Sequence, residues 1–384
     1  MKKIYYGIII LLAAGCKELY QSPIRSSITG YLVVEGVINS GPDSTIIRLS
    51  RTTPLDSTRT VYEPNAQVLV EGDDNSSYSL FDNGSGKYKA VNLNLNNSRK
   101  YRLHIRTTEG KEYLSDFEAV RNNPPIDSIS YKSANNGLQL FINTHDPLNN
   151  TRYYQWEYTE TWEFHSDYPS YLSYFYKAIP GGERVHVGFK DSVRFSVDTS
   201  ISKCWRYNSS SDLLLGSSAK LSADAINLPI VFIPPASQKL SVLYSIQVNQ
   251  YSWTKEGYEF LEKMKKNTEG TGSVFDAQPS EIKGNIHCVT DPAEIVIGYF
   301  SISPVQKKRI FISVNDVPGW KYESGCTVFE IENISDSIKF KGSGLMPAYV
   351  MQSGPFDIKT FAGASPRCVD CTLSGTNLKP SFWP

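Results

Sequence analysis

AQVLVEGDDNSSYSLFDNGSGKYKAV, residues 66–91, holds three short alternating runs broken by two clusters of turn formers. Ala66–Glu71, Ser77–Asp82 and Gly86–Val91 each place every second side chain on a common face, the period of a half-buried strand. Between them, Gly72-Asp73-Asp74-Asn75 and Asp82-Asn83-Gly84 supply residues that tolerate tight backbone reversals. The same grammar extends outward. Ile28–Ile38 (ITGYLVVEGVI) and Thr45–Ser50 flank Gly41-Pro42-Asp43, and Tyr101–Thr107 and Glu112–Ser115 flank Glu109-Gly110. Seven such strands within about ninety residues predict an immunoglobulin-like β-sandwich over residues 28–120.

Arg121–Pro125 (RNNPP) reads as a linker, because paired prolines stiffen the chain and cannot donate to a β-ladder. A second β-rich domain is expected over 126–384. Its clearest strand begins at Tyr153, where Tyr154, Trp156, Tyr158, Trp162 and Phe164 share one face, while Gln155, Glu157, Thr159, Thr161 and Glu163 share the other. The run continues through Tyr168, Tyr171, Tyr174, Phe175 and Tyr176, which follow Ser166-Asp167 and include Pro169. These aromatics are expected on a loop or irregular hairpin, as a contact for a ligand or partner or folded back on the sandwich. A packing helix is expected near 253–267, with Tyr258, Leu261 and Met264 to one side and Lys255, Glu259, Glu262 and Lys266 elsewhere. From Asn315 the periodicity fades and an irregular tail is expected. The fold class is mainly β, and 24 tyrosines against four methionines agree with strands over helix bundles.

At the N-terminus Lys2 and Lys3 precede an apolar run from Ile4 to Leu12, then Ala13, Ala14, Gly15 and Cys16. At about 1.5 Å per residue a helical run of this length covers roughly half of the ~30 Å hydrocarbon core, so it fits a signal peptide and not a span. Small residues before a cysteine resemble the bacterial lipobox. The expectation is a signal peptide over 1–15, lipid on Cys16 and a tether over 16–27, with several acyl chains giving a durable membrane anchor. Loss of Lys2 and Lys3 turns 39 basic and 39 acidic side chains into a small acidic excess. With the basic groups scattered, there is no electrostatic case for nucleic acid.

HExxH, GxSxG, Walker, GxGxxG and EF-hand patterns do not occur. The histidines, His104, His145, His165, His186 and His287, lie at no chelating spacing, and a lone one on an alternating strand, such as His104, is ordinarily a surface or core-edge side chain. No catalytic residue, metal ligand or cofactor is assigned. Five cysteines follow Cys16, and outside the cytoplasm these tend to oxidise. Cys204, Cys326, Cys368 and Cys371 are the disulfide candidates, with the connectivity open. Cys288, within the strand-like run Ile286–Val289, is expected to be the unpaired thiol. The flanks of Cys368-x-x-Cys371 read as loop, which favours a structural bridge over a redox centre or a metal site.

Three segments carry a family resemblance: Gly272–Ile312 (GSVFDAQPSEIKGNIHCVTDPAEIVIGYFSISPVQKKRIFI), the ending Cys368-Val369-Asp370-Cys371 with Lys379-Pro380-Ser381-Phe382-Trp383, and Val33-Val34-Glu35-Gly36. Together they resemble a family of Bacteroidota lipoproteins with a shared domain of unknown function, often encoded beside TonB-dependent receptors. The resemblance implies the outer membrane, with the cell-surface face favoured, and an accessory role to a receptor or transporter in nutrient or glycan capture. It supplies no catalytic residues. Within the family stretch, Pro279 and Gly284 read as bracketing a turn, Gly298 as a position where a side chain would clash, and Arg309 as placed to pair with a carboxylate such as Asp291. Asp370, Lys379 and Trp383 suggest a C-terminal clasp. A non-enzymatic binding or accessory lipoprotein is therefore the leading reading; a surface hydrolase acting on glycans through a carboxylate pair is the alternative.

Cys16→Ser is expected to abolish incorporation of a labelled fatty acid and release the chain from membranes. Label retained by the substituted protein would refute the anchor.

Overall fold

A computed structural model describes residues 30–384 apart from 55, 56, 58, 135, 136, 192–195, 270–282 and 356. The expected signal peptide, Cys16 and tether lie outside the described residues, as does Pro279. All seven N-terminal strands form, as Leu32–Glu35, Thr45–Arg51, Gln67–Gly72, Ser77–Asp82, Lys87–Ala90, Lys100–Arg106 and Glu112–Ser115. Their alternation buries Leu32, Ile47, Leu49, Val68, Val70, Leu80, Tyr88, Leu103, Ile105 and Tyr113 in one core. Ser77–Asp82 serves both faces of the sandwich, because its first half pairs with Gln67–Gly72 and its last residues with Lys87–Ala90. The hydrogen-bonded path therefore wraps into one nearly closed sheet.

Both ends of that sheet are completed from far downstream. Ile286–Cys288 pairs antiparallel with Glu112–Ser115, and Val296–Gly298 pairs parallel with Leu32–Glu35. Sequence patterning placed this stretch in the second β region; its backbone belongs to the first sheet, and its side chains Ile286, Cys288, Val296, Phe300 and Ile302 join the first core. Two glycines make the approach possible. A Cβ on Gly298 would lie 2.7 Å from the Val34 carbonyl oxygen, and one on Gly284 would lie 1.5 Å from the Gly298 carbonyl oxygen. The clash read at Gly298 is thus a close approach of backbone to backbone.

The linker 121–125 is strand-free and pinned. Asn123 donates through Nδ2 to the Gln250 and Pro304 carbonyls at 2.7 Å each, and Gln250 Nε2 donates back to the Pro124 carbonyl at 2.7 Å. Beyond it, Tyr153–His165 lies inside a central sheet, between Leu243–Ser252 on one side and Lys203–Ser209 with Leu214–Ser217 on the other, and Gln306–Ser313 extends that sheet beyond Leu243–Ser252. A second sheet, Ile126–Ala134, Gly137–Asp146 and Asp224–Ile233, packs on it. The expected aromatic face turns inward, with Tyr154, Trp156, Trp162 and Phe164 in a shared core with Leu138, Leu140 and Ile142. Glu160 shares that face and is buried, paired to Lys239 Nζ at 2.6 Å and accepting from Tyr244 Oη at 2.8 Å.

The packing helix is Lys255–Glu269, two residues beyond the expected start. Thr254 explains the shift, since its Oγ1 accepts from the Gly257 N–H at 2.9 Å and so satisfies a first-turn donor. Tyr258, Phe260 and Leu261 dock against Trp253 and Tyr299. No helix among the described residues is long and apolar enough to cross a membrane.

The tail expected to be irregular from Asn315 is instead organised. Val328–Glu332, Met346–Ser353 and Ile358–Ala364 form a three-stranded antiparallel sheet, with helix Ser335–Lys341 beside it. Register shifts along Met346–Ser353 break the period that would have revealed it. Cys326 bonds Cys368 and Cys204 bonds Cys371, so the two neighbouring cysteines tie one short segment to the central sheet and to the stretch that leads into Val328–Glu332. The flank read as loop is a single helical turn, Pro366–Val369, which proline at its first position favours. Closing loops of 167 and 42 residues stabilises on the order of 5 and 4 kcal/mol in the chain-entropy account. Trp383 is buried against Trp205 and Phe311 and donates to Glu163 at 3.0 Å, forming the clasp. Arg309 does not pair with Asp291. Its guanidinium stacks 3.6 Å over the Phe382 ring and donates to Ser245 and Gln247, because the central sheet turns it toward the C-terminal segment.

Denatured, unreduced protein is expected to carry one alkylatable thiol, Cys288, and to yield Cys204–Cys371 and Cys326–Cys368 peptides on mapping. A linked Cys368–Cys371 peptide would refute this connectivity.

Candidate functional site

Alternation that fills the two cores also sends a second set of side chains outward, and the outward faces meet. From the N-terminal sandwich, Leu32–Glu35 and Thr45–Arg51 present Val33, Glu35, Ile46 and Arg48. Opposite them, Tyr153–His165 presents Gln155 and Glu157, whose cross-strand neighbours are Tyr251 and Asn249. Phe260, Leu261 and Met264 of the long helix close one wall, with Trp253 and Tyr299 at its base. The enclosed cleft holds about 430 Å³, within the size range of small-molecule sites, which favour junctions between packed units.

Glu157 accepts a hydrogen bond from Tyr251 Oη at 3.2 Å. Its carboxylate opens onto the cleft, yet two sheets and the helix surround it. Although the side chain stays solvent-exposed, partial desolvation there raises its pKa above the usual glutamate value, outweighing the Tyr251 hydrogen bond and the Arg48 charge, both of which favour the anion. The same surroundings push the Tyr251 phenol up, with the Glu157 charge adding to burial. Two neutral polar atoms in the lining have no hydrogen-bond partner, Gln155 Oε1 and Trp253 Nε1, on side chains that are 8% and 5% exposed.

The aromatic run 168–176 does not form one surface. Leu172–Ile179 is a strand, paired with Gly182–Phe189, and the hairpin packs on the C-terminal sheet. Tyr168 Oη donates to the Cys326 carbonyl at 2.9 Å, Tyr174 Oη donates to the Leu345 carbonyl at 3.1 Å, and Tyr171 Oη accepts from Val350 N–H at 3.2 Å. Burial pushes the Tyr174 phenol up to about 12. Phe175 and Tyr176, at 39% and 62% exposure, stay at the surface with Ile179. The strand carries its early residues over the C-terminal sheet and its later ones past it, a division that local sequence does not encode.

Cys204, Cys326, Cys368 and Cys371 are consumed in disulfides, and Cys288 is buried and unpaired. Asp167 lies close to Cys326 and Cys368, but those sulfurs bond each other and offer no thiolate to a metal. His104 is held between Glu71 and Glu112 at 2.7 Å on each ring nitrogen, a surface network as expected of a lone strand histidine. A broader groove along His165, Asp167, Lys203 and Trp205 has its basic groups occupied, because His165 and Lys203 both pair with Glu163. The outward placement of Gln155 and Glu157 was legible in the sequence; what lies across from them depends on a long-range strand pairing.

A family described as a domain of unknown function (DUF4249) matches residues 17–309. Among curated proteins none matches. Solved structures similar to this chain include a "putative carbohydrate binding protein" from Bacteroides uniformis, at 10% identity over 58% of this chain and 90% of that one, TM-score 0.15. Another is a DUF3823 family protein from Bacteroides ovatus, at 13% identity over 58% and 91%, TM-score 0.16. A chitinase from Bacillus thuringiensis aligns at 10% identity over 52% of this chain and 29% of its own, TM-score 0.15. Superpositions this loose carry no argument about fold or ligand.

Glu157 gives a test of the cleft. Its carboxyl binds its proton more tightly in the folded chain than in the unfolded one. The associated stability is present below the ordinary glutamate value of 4.5 and is lost as pH rises through the folded value. Glu157→Gln, which still accepts from Tyr251, is expected to raise the melting temperature at pH 7 slightly, because solvent at this exposed side chain screens most of the effect. The gain should vanish near pH 4. A lower melting temperature at pH 7 would contradict this account.

Proposed function

The chain belongs to the family described as a domain of unknown function (DUF4249), and within it we propose a non-enzymatic binding lipoprotein whose ligand seat is the cleft between the N-terminal sandwich and the central sheet. The observation that carries this reading is the cleft itself. Outward residues of two β-units and one helix converge on a volume of ligand size, and they include a carboxyl, Glu157, whose pKa is raised by partial desolvation. A surface kept for packing alone gains nothing from such a group.

The anchor and the partner belong to the same proposal. The N-terminal Lys2-Lys3, apolar run and Cys16 support lipid attachment, and the family resemblance supports an outer-membrane location beside a TonB-dependent receptor. Exposed Phe175, Tyr176 and Ile179 on the hairpin supply an apolar face for docking on that receptor. One observation favours hydrolysis as a second reading: Glu35 and Glu157 line the same cleft, and a carboxyl with a raised pKa is the trait of a general acid. New reducing ends released from a glycan, and lost in Glu157→Gln, would establish it.

Capture of the lipidated chain from native outer membranes in mild detergent is expected to bring down a β-barrel receptor. Phe175→Ser with Tyr176→Ser should weaken that capture with melting nearly unchanged, since exposed substitutions shift stability by about 0.5 kcal/mol or less. Recovery of the chain alone would overturn the accessory role.

A further inference from the structure

We infer that the cleft takes a neutral saccharide, an inference that rests on the cleft being a ligand seat. Its two unsatisfied atoms are of opposite sense: Gln155 Oε1 can only accept and Trp253 Nε1 can only donate. Both side chains are more than nine-tenths buried and both line the cleft. Buried polar atoms are seldom left unmatched, because the lost hydration is not recovered. Both atoms are closed to solvent in the unliganded chain, so a ligand completes them only as the side chains turn toward the cleft; it must then offer a donor and an acceptor, as adjacent sugar hydroxyls do.

The charges in the lining argue against an ionic ligand. Glu35 and Arg48 sit directly across from each other on neighbouring strands. Lys307 is paired with Asp43 at 3.0 Å, and Glu157 already holds the Tyr251 hydroxyl. The acidic Glu35 and Glu157 and the basic Arg48 and Lys307 of the lining balance in number, so no cluster of one sign faces a phosphate or an organic cation. The remaining wall is ring and aliphatic surface, from Tyr251, Tyr299 and Leu213. Aromatic surface beside a few fixed hydrogen-bonding groups suits the C–H faces and hydroxyls of a sugar.

The test uses the full mature chain in mild detergent, titrated calorimetrically with cellotriose, maltotriose, xylotriose, chitotriose and the zwitterionic dipeptide Leu-Leu. At least one trisaccharide is expected to bind. Trp253→Phe and Gln155→Met, which delete the donor and the acceptor, should each weaken it roughly tenfold or more. Melting curves control for folding, and Gln155→Met carries the test if Trp253→Phe does not fold. Binding of Leu-Leu without any saccharide overturns the ligand class and leaves the ligand seat standing. A trisaccharide bound equally well by parent and variants sits elsewhere and overturns the inference. No binding by any probe, with no shift in melting temperature, removes both the inference and the cleft reading.

Discussion

The parallel pairing of Leu32–Glu35 with Val296–Gly298 joins the two β-units, and everything that lies between them depends on it. Leu32 faces Val296 and Val34 faces Gly298, a register that only a residue without a side chain allows at its last position. A second parallel contact, Ile38 with Ile302, extends the seam. Asn285 fixes the returning chain, accepting from Phe300 N–H at 2.7 Å and donating to the Phe300 carbonyl at 3.0 Å. With the seam in place, the outward faces of the sandwich and the central sheet oppose each other across a gap and not across solvent. The cleft is thus a product of backbone pairing between segments distant in sequence, whose closure costs chain entropy before any packing repays it.

What the sequence made legible was local. The seven sandwich strands were readable because each is bounded by glycine, asparagine or aspartate at a reversal, and the helix because its apolar residues recur at helical spacing. The inward face of Tyr153–His165 followed from its period of two. Three features escaped for one reason, that each is decided by what covers a residue. Ile286–Cys288 and Val296–Gly298 look like any short apolar strand, and nothing in them names the first sheet as partner. The C-terminal sheet has shifts in register that erase its period. The aromatic run 168–176 reads as one patch, yet the hairpin buries its first part on that sheet and leaves Phe175 and Tyr176 outside.

Buried polar groups fall into a matched set and an unmatched one. Glu160, at 1% exposure, is matched by Lys239, Tyr244 and Asn208. Burial alone would raise the pKa of Glu163, but Lys203, His165 and Trp383 more than offset it and hold the carboxyl below the usual range. A buried charge satisfied on several sides fixes the arrangement of the strands around it. Gln155 and Trp253 occupy similarly enclosed positions, and Gln155 Oε1 and Trp253 Nε1 are unmatched within the chain. Other buried atoms, Trp162 Nε1 and Trp205 Nε1 among them, are unmatched too; what marks the cleft is an unmatched donor and an unmatched acceptor in one lining.

The Cys204–Cys371 disulfide spans the unpaired Cys288, and Cys326–Cys368 is nested within it. Were this chain exported N-terminus first into an oxidising compartment, the cysteines of its described residues would arrive in the order Cys204, Cys288, Cys326, Cys368 and Cys371. Pairing in order of arrival would join Cys204 to Cys288, whereas the folded molecule joins Cys204 to Cys371 and leaves Cys288 alone. Enclosure of Cys288 between the strand Glu112–Ser115 and the first core removes its thiol from the exchange. The edge strand that completes the sandwich therefore also shields this thiol, and a change that loosened it would expose Cys288 as a competing partner for Cys204.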